Sequence, residues 1–128
     1  MRAAALLLAL AGPAIAQEGP VSGYDFLSPE TQALQDDDFA NPGMLWVDIG
    51  AELWADDSAG PSCLSCHGDA AASMAGTGTH YPRWSDQAGR VISLEQQINL
   101  CRTDRQGTEP LPYESRDLVA LTAFVMHQ

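Results

Sequence analysis

Lysine is absent from this chain of 128 residues, and its Lys+Arg total of 6 is arginine alone. Against these stand 17 acids, giving a formal net charge of −11 and a pI near 4.3. Such a surface is a poor match for nucleic acid or an anionic membrane, and a basic patch on another protein suits it better. Acidity of this degree also serves plain solubility. Cysteine is scarce, with 3 in all, and no second Cys pair or Cys/His pair stands at zinc spacing. No apolar run reaches the length of a membrane span. Internal repeats are missing, and so is the alternation of apolar and polar residues that marks strands. These absences leave one small, all-α, exported domain as the expectation.

Export is read from the N-terminus. Met1 and Arg2 supply a charged start, residues 3–11 are apolar and leucine-rich, and Gly12-Pro13 breaks the run. Ala14-Ile15-Ala16 fits a small-residue cleavage site before Gln17. Residues 1–16 are therefore expected to be a signal peptide and the mature protein to be periplasmic. Loss of Arg2 with the signal leaves the mature chain, from Gln17 to Gln128, more acidic still. That length is enough for one small domain.

The motif that organises the rest is Cys63-Leu64-Ser65-Cys66-His67. Two thiols three positions apart with an imidazole directly after them form the attachment pattern of c-type haem. Thioether bonds from Cys63 and Cys66 to the haem vinyl groups fix one edge of the porphyrin and bring His67 to the iron as proximal ligand. A redox dithiol would want a βαβ setting, which the chain does not show. One covalent haem c is expected, inside a cytochrome c-like helical domain.

Capping signals divide the chain into helices. Residues 17–40 read as an N-terminal arm, with Ser28-Pro29-Glu30 starting a short helix over 29–35. Asp36, Asp37 and Asp38 read as a solvated turn, since the alternating ligands of a calcium loop are missing. The haem domain is expected over 41–128. Asn41-Pro42-Gly43 starts a helix running to Trp54, with Trp46, Gly50, Leu53 and Trp54 on one face. Trp46 and Trp54 are read as core or haem-wall residues. Glycine inside a helix costs about 1 kcal/mol relative to alanine, so Gly50 signals a close approach, with Ala120 or Phe124 as its partner. A helical turn is expected over 69–74 and a loop over 76–83. Ser93 and Gln96 form a capping box for a helix on which Leu94, Ile98 and Cys101 share a face. After a loop at 107–112, Ser115 caps a last helix with Leu118, Leu121, Thr122 and Val125 inward.

Six-coordinate iron needs a second axial ligand, and several residues qualify. Met74 and His80 follow soon after His67, Met44 precedes the motif, and Met126 and His127 are near the C-terminus. Cys101, well downstream of His67 and on an inward face, is an odd thiol in an oxidising compartment. A buried free cysteine is the plain alternative, but an unprotected thiol there would oxidise, and thiolate is a soft donor suited to iron. Arg102 and Arg105 could favour the thiolate, although arginines beside it are ordinary surface residues too. Thiolate ligation would stabilise ferric iron and lower the potential, whereas methionine would raise it.

Three segments together resemble the SoxA family: residues 23–31 (GYDFLSPET), Cys63 to Gly68 followed by Asp69-Ala70-Ala71, and Ile98-Asn99-Leu100-Cys101-Arg102. The resemblance spans nearly all of the mature chain. It implies that Cys63 and Cys66 attach the N-terminal haem, with His67 proximal and Cys101 distal. It also implies a periplasmic cytochrome of thiosulfate oxidation, working with the small cytochrome subunit SoxX and the carrier SoxYZ. The family activity is L-cysteine S-thiosulfotransferase, coupling thiosulfate oxidatively to a carrier cysteine. Its catalytic cysteine belongs to a second, C-terminal haem domain, and no second Cys-x-x-Cys-His occurs here. That domain is expected to be absent, as in a truncated reading frame, and no catalytic residue carries over. A free-standing, low-potential electron-transfer cytochrome without catalytic activity is the alternative, and a docking module with haem as a structural staple is a third.

Overall fold

The computed structural model describes residues 21–128. The leader expected over 1–16 lies outside the described residues. Six α-helices follow in chain order: α1 (Pro29–Asp36), α2 (Met44–Ala55), α3 (Cys63–His67), α4 (Ala70–Ser73), α5 (Leu94–Cys101) and α6 (Arg116–His127). Short 3-10 turns occupy Gly23–Phe26 and Thr77–His80. Beyond Cys101 the helix widens to a π-type turn over Arg102–Gln106, which ends at Gly107 in the left-handed region at φ 67°.

The helix starts follow their side-chain caps. Ser28, Ser62, Asp69, Ser93 and Ser115 each accept a hydrogen bond from a backbone N–H of the first turn. At Ser93 the reciprocal bond from the backbone N–H to Gln96 is also made, completing the capping box.

The all-α expectation needs one correction. Strands β1 (Arg83–Ser85) and β2 (Arg90–Ile92) form an antiparallel hairpin, with Arg83 opposite Ile92 and Ser85 opposite Arg90. Strands this short cannot print a period of two in the sequence. Only Ile92 is buried, so burial supplies no alternation either.

The core forms where α2 crosses α6. Trp54 from α2 packs with Val125 from α6 and with Ala70 and Leu94, and Leu118, Ala120 and Leu121 of α6 and Ile92 complete the buried apolar set. Full burial of Leu118 or Leu121 stabilises the fold by about 1.5–3 kcal/mol each. Gly50 is the contact point of the crossing. A Cβ there would overlap the Ala120 carbonyl and stand 2.5 Å from the Phe124 Cβ, so both predicted partners of Gly50 are its neighbours. Trp46, expected in the core or haem wall, is instead 38% exposed. It sits two turns before Trp54, at the start of α2.

The arm up to residue 40 buries none of its described residues. Its order is internal: the Tyr24 hydroxyl donates to Asp36 at 2.6 Å, and Gln32 Nε2 donates to the Tyr24 carbonyl at 3.0 Å. The Asp36 carboxylate raises the Tyr24 hydroxyl above its ordinary pKa. The acidic cluster acts as a turn, with Asp37 Oδ1 accepting from the N–H groups of Phe39 and Ala40. Among the described residues no helix is long and apolar enough to cross a membrane.

Candidate haem site

Cys63 to His67 fold as a helical turn because both ends are tied down. Ser62, itself buried, accepts from the Ser65 N–H at 3.1 Å, and Ser65 Oγ donates back to the Ser62 carbonyl at 2.7 Å. At the other end Gly68 takes φ 70°, ψ −149°, backbone that side chains with a Cβ rarely adopt. Its carbonyl accepts the Trp54 indole N–H at 3.2 Å. The same indole lies 5.7 Å from the His67 ring, tilted by 36°. A single buried tryptophan thus holds both the imidazole and the backbone that follows it.

The turn opens onto a cleft of about 310 Å³. Trp54, Leu94, Ile98, Leu121 and Val125 give it apolar walls, drawn from α2, α5 and α6. Cys63, His67 and Cys101 all line it, so two helices far apart in sequence bring two sulfurs and an imidazole to one space. Cys66 is exposed and is not part of the wall. Met74 and His80 also face the cleft; Met44, Met126 and His127 do not. Arg102 lines it, whereas Arg105 is exposed and outside.

Two amides at this site carry no motif signal. Gln106 Nε2 donates to Cys63 Sγ at 3.6 Å, and Gln97 Nε2 donates to Cys101 Sγ at 3.5 Å. Gln106 Oε1 is buried without a partner among the described residues. Burial pushes the Cys63 thiol up, with the Gln106 bond acting against it. Burial likewise raises the Tyr81 hydroxyl, which lines the same cleft. Gln97 stands one helical turn before Cys101 and so shares its helix face, a spacing that by itself does not set a glutamine apart from a surface residue.

The donor set fits haem c. Soft sulfur and imidazole suit iron, apolar walls suit a macrocycle, and all three thiols are unbridged. Helices crossing over a Cys-x-x-Cys-His turn beside an apolar cleft define a cytochrome c domain. The chain belongs to the SoxA/TsdA cytochrome c domain family, whose model matches residues 49–128. Such a domain carries haem c.

It is 46% identical over 110 residues to the L-cysteine S-thiosulfotransferase subunit SoxA of Pseudaminobacter salicylatoxidans, covering 84% of this chain and 38% of that one. Identity to the thiosulfate dehydrogenase of Thiomonas intermedia (strain K12) is 29% over 141 residues, covering 93% of this chain and 45% of the relative. The crystal structure of SoxXA from P. pantotrophus matches with a TM-score of 0.69 at 35% identity, over 81% of this chain and 40% of that one. The chain therefore spans less than half the length of the relatives it matches.

Proposed function

We propose that this chain is the N-terminal haem domain of a periplasmic SoxA-type cytochrome of thiosulfate oxidation. Cys63 and Cys66 attach one haem c, His67 is the proximal ligand and Cys101 the distal one. The observation that carries this reading is the shared cleft of Cys63, His67 and Cys101. Met44, Met126 and His127 stand outside it. Met74 and His80 follow His67 closely along the chain, whereas Cys101 enters from α5, a wall built separately.

When bound, the haem supplies one-electron oxidation and reduction. The protein's own part is to hold the ligands and to exclude water. Trp54 fixes the His67 ring and, through Gly68, the end of its helix. Leu94, Ile98, Leu121 and Val125 keep the cleft apolar. Cys101 supplies an anionic sulfur that favours the ferric state and a low potential.

SoxX is the partner this reading assigns, supported by the likeness to SoxXA, with SoxYZ and thiosulfate entering through the full-length family. The acidic surface suits a basic face on such a partner. Coupling thiosulfate to a carrier cysteine is the family's activity, and all three cysteines of this chain are committed to haem. The test is the exported protein: mass spectrometry should show one added haem, and Cys101→Ala should open the sixth position in optical and EPR spectra. Parental spectra in that variant would sink the Cys101 assignment.

A further inference from the structure

A relay of two side chains ends on the Cys101 sulfur. Gln97 Nε2 donates to Cys101 Sγ at 3.5 Å, a reach suited to the large radius of sulfur. On its other side Arg83 Nη2 donates to Gln97 Oε1 at 3.3 Å. A guanidinium has donors only, so it selects the amide oxygen and leaves the amide nitrogen facing the sulfur. Arg83 is held in turn by the Tyr81 ring, with its guanidinium carbon 4.9 Å from the ring centroid. Tyr81, Arg83, Gln97 and Cys101 all line the cleft. The hairpin that opens at Arg83 therefore reaches across to α5 beside the sulfur it carries.

We propose that Gln97 is a positioning residue for the sulfur ligand: its N–H, aimed by Arg83, draws electron density from the Cys101 sulfur and so raises the reduction potential of the site. The inference rests on the reading of Cys101 as the distal ligand. Hydrogen bonds around a ligating sulfur tune a metal's potential, and bonds to a charged acceptor are the strong ones. Thiolate alone favours ferric iron. An N–H on that sulfur offsets part of its donation and keeps the site within reach of one-electron donors. Without Arg83 the amide is free to rotate, and Oε1 would then meet the sulfur as one acceptor against another. Arg83 thus acts through Gln97, and Gln97 through Cys101.

The experiment uses the haem-loaded full chain and variants Gln97→Met, Arg83→Met and Cys101→Ala. Methionine keeps the length of glutamine and removes the donor. Spectroelectrochemical titration, the sulfur-to-iron charge-transfer band and ferric EPR are read for each. In Q97M the ferric-to-ferrous ratio at fixed poise should rise about tenfold, about 59 mV for one electron, with the band moved to longer wavelength. R83M should shift in the same direction and broaden the low-spin EPR signal, and it decides alone if Q97M does not load haem. C101A should abolish the band. Parental potential and band in Q97M and R83M, with the band lost in C101A, would overturn the role of Gln97 and leave the ligand intact. A parental band in C101A would overturn the ligand assignment and the relay with it.

Discussion

Gly50 and Ala120 meet backbone to backbone: no Cβ fits at position 50 without overlapping the Ala120 carbonyl. Helix α2 therefore rests on α6 at the closest separation their main chains allow. Gly50→Ala should force the two helices apart and cost about 1–3 kcal/mol. Thermal unfolding followed by circular dichroism checks it. Gly23→Ala, at a position with nothing within 4 Å, should stay within about 0.5 kcal/mol of the parent.

Trp54 joins α2 to the haem turn through one hydrogen bond and one ring contact. Trp54→Phe keeps an aromatic ring but leaves the Gly68 carbonyl without its indole partner. A loss of about 1–3 kcal/mol is expected, together with a changed imidazole environment. Denaturant unfolding and the ferric EPR spectrum of the haem-loaded protein report these two effects separately.

The other sulfur and imidazole of the cleft provide a ligand test. Met74→Leu and His80→Asn are expected to leave the ferric low-spin spectrum as in the parent. A shift to five-coordinate, high-spin iron in either variant would move the distal ligand away from Cys101.

Asp56 gives a pH dependence of known sign. Its carboxylate accepts the Ser58 N–H at 3.0 Å, and bonds from the Ser58 backbone and side chain, with Arg102 nearby, hold it below its ordinary value of 3.8. The folded pKa is depressed, so the stabilisation is full above the unfolded value and fades as pH falls through the folded one. Asp56→Asn should flatten this part of the acid limb. Stability followed from neutrality down into strong acid, compared for the two proteins, shows the difference.

Purified, haem-loaded chain is expected to form no thiosulfate conjugate on the cysteine of a SoxYZ carrier. Mass spectrometry of the carrier after incubation with thiosulfate and an artificial electron acceptor is the measurement. Conjugate formation would place a catalytic group within these residues.

Much of the fold was legible because helix starts announce themselves. Ser28, Ser93 and Ser115 cap where their sequence context places them, and Gly50, an isolated glycine on a helical face, pointed to its own partners. The cleft was legible in part: Cys63 and His67 belong to a motif whose spacing few other chemistries use, and Cys101 reached the same cleft from an inward helix face, while Met74 and His80 line it too. Gln97 and Gln106 were not, since glutamine reads as surface wherever a helix is amphipathic. Arg83 and the hairpin were hidden by very short strands whose exposed Trp84 and Val91 obey no burial pattern. Trp46 was misplaced because helical periodicity gives the angle of a face but not how deeply each position along it is buried: Trp46 is 38% exposed and Trp54 6%. The π-type turn after Cys101 is a packing outcome with no residue signature of its own.

The crossing of α2 with α6 also orders events as the chain folds. The haem turn, the hairpin and α5 all lie between these two helices in the chain. The chain up to Gly107 holds α2, the haem turn and α5 but not α6, which supplies Leu118, Ala120, Leu121 and Val125. Closing so long a loop is slow compared with forming any local helix. The turn that carries Cys63 and Cys66 therefore forms ahead of the crossing that shuts the core over it, leaving an interval in which both thiols are still open to covalent chemistry.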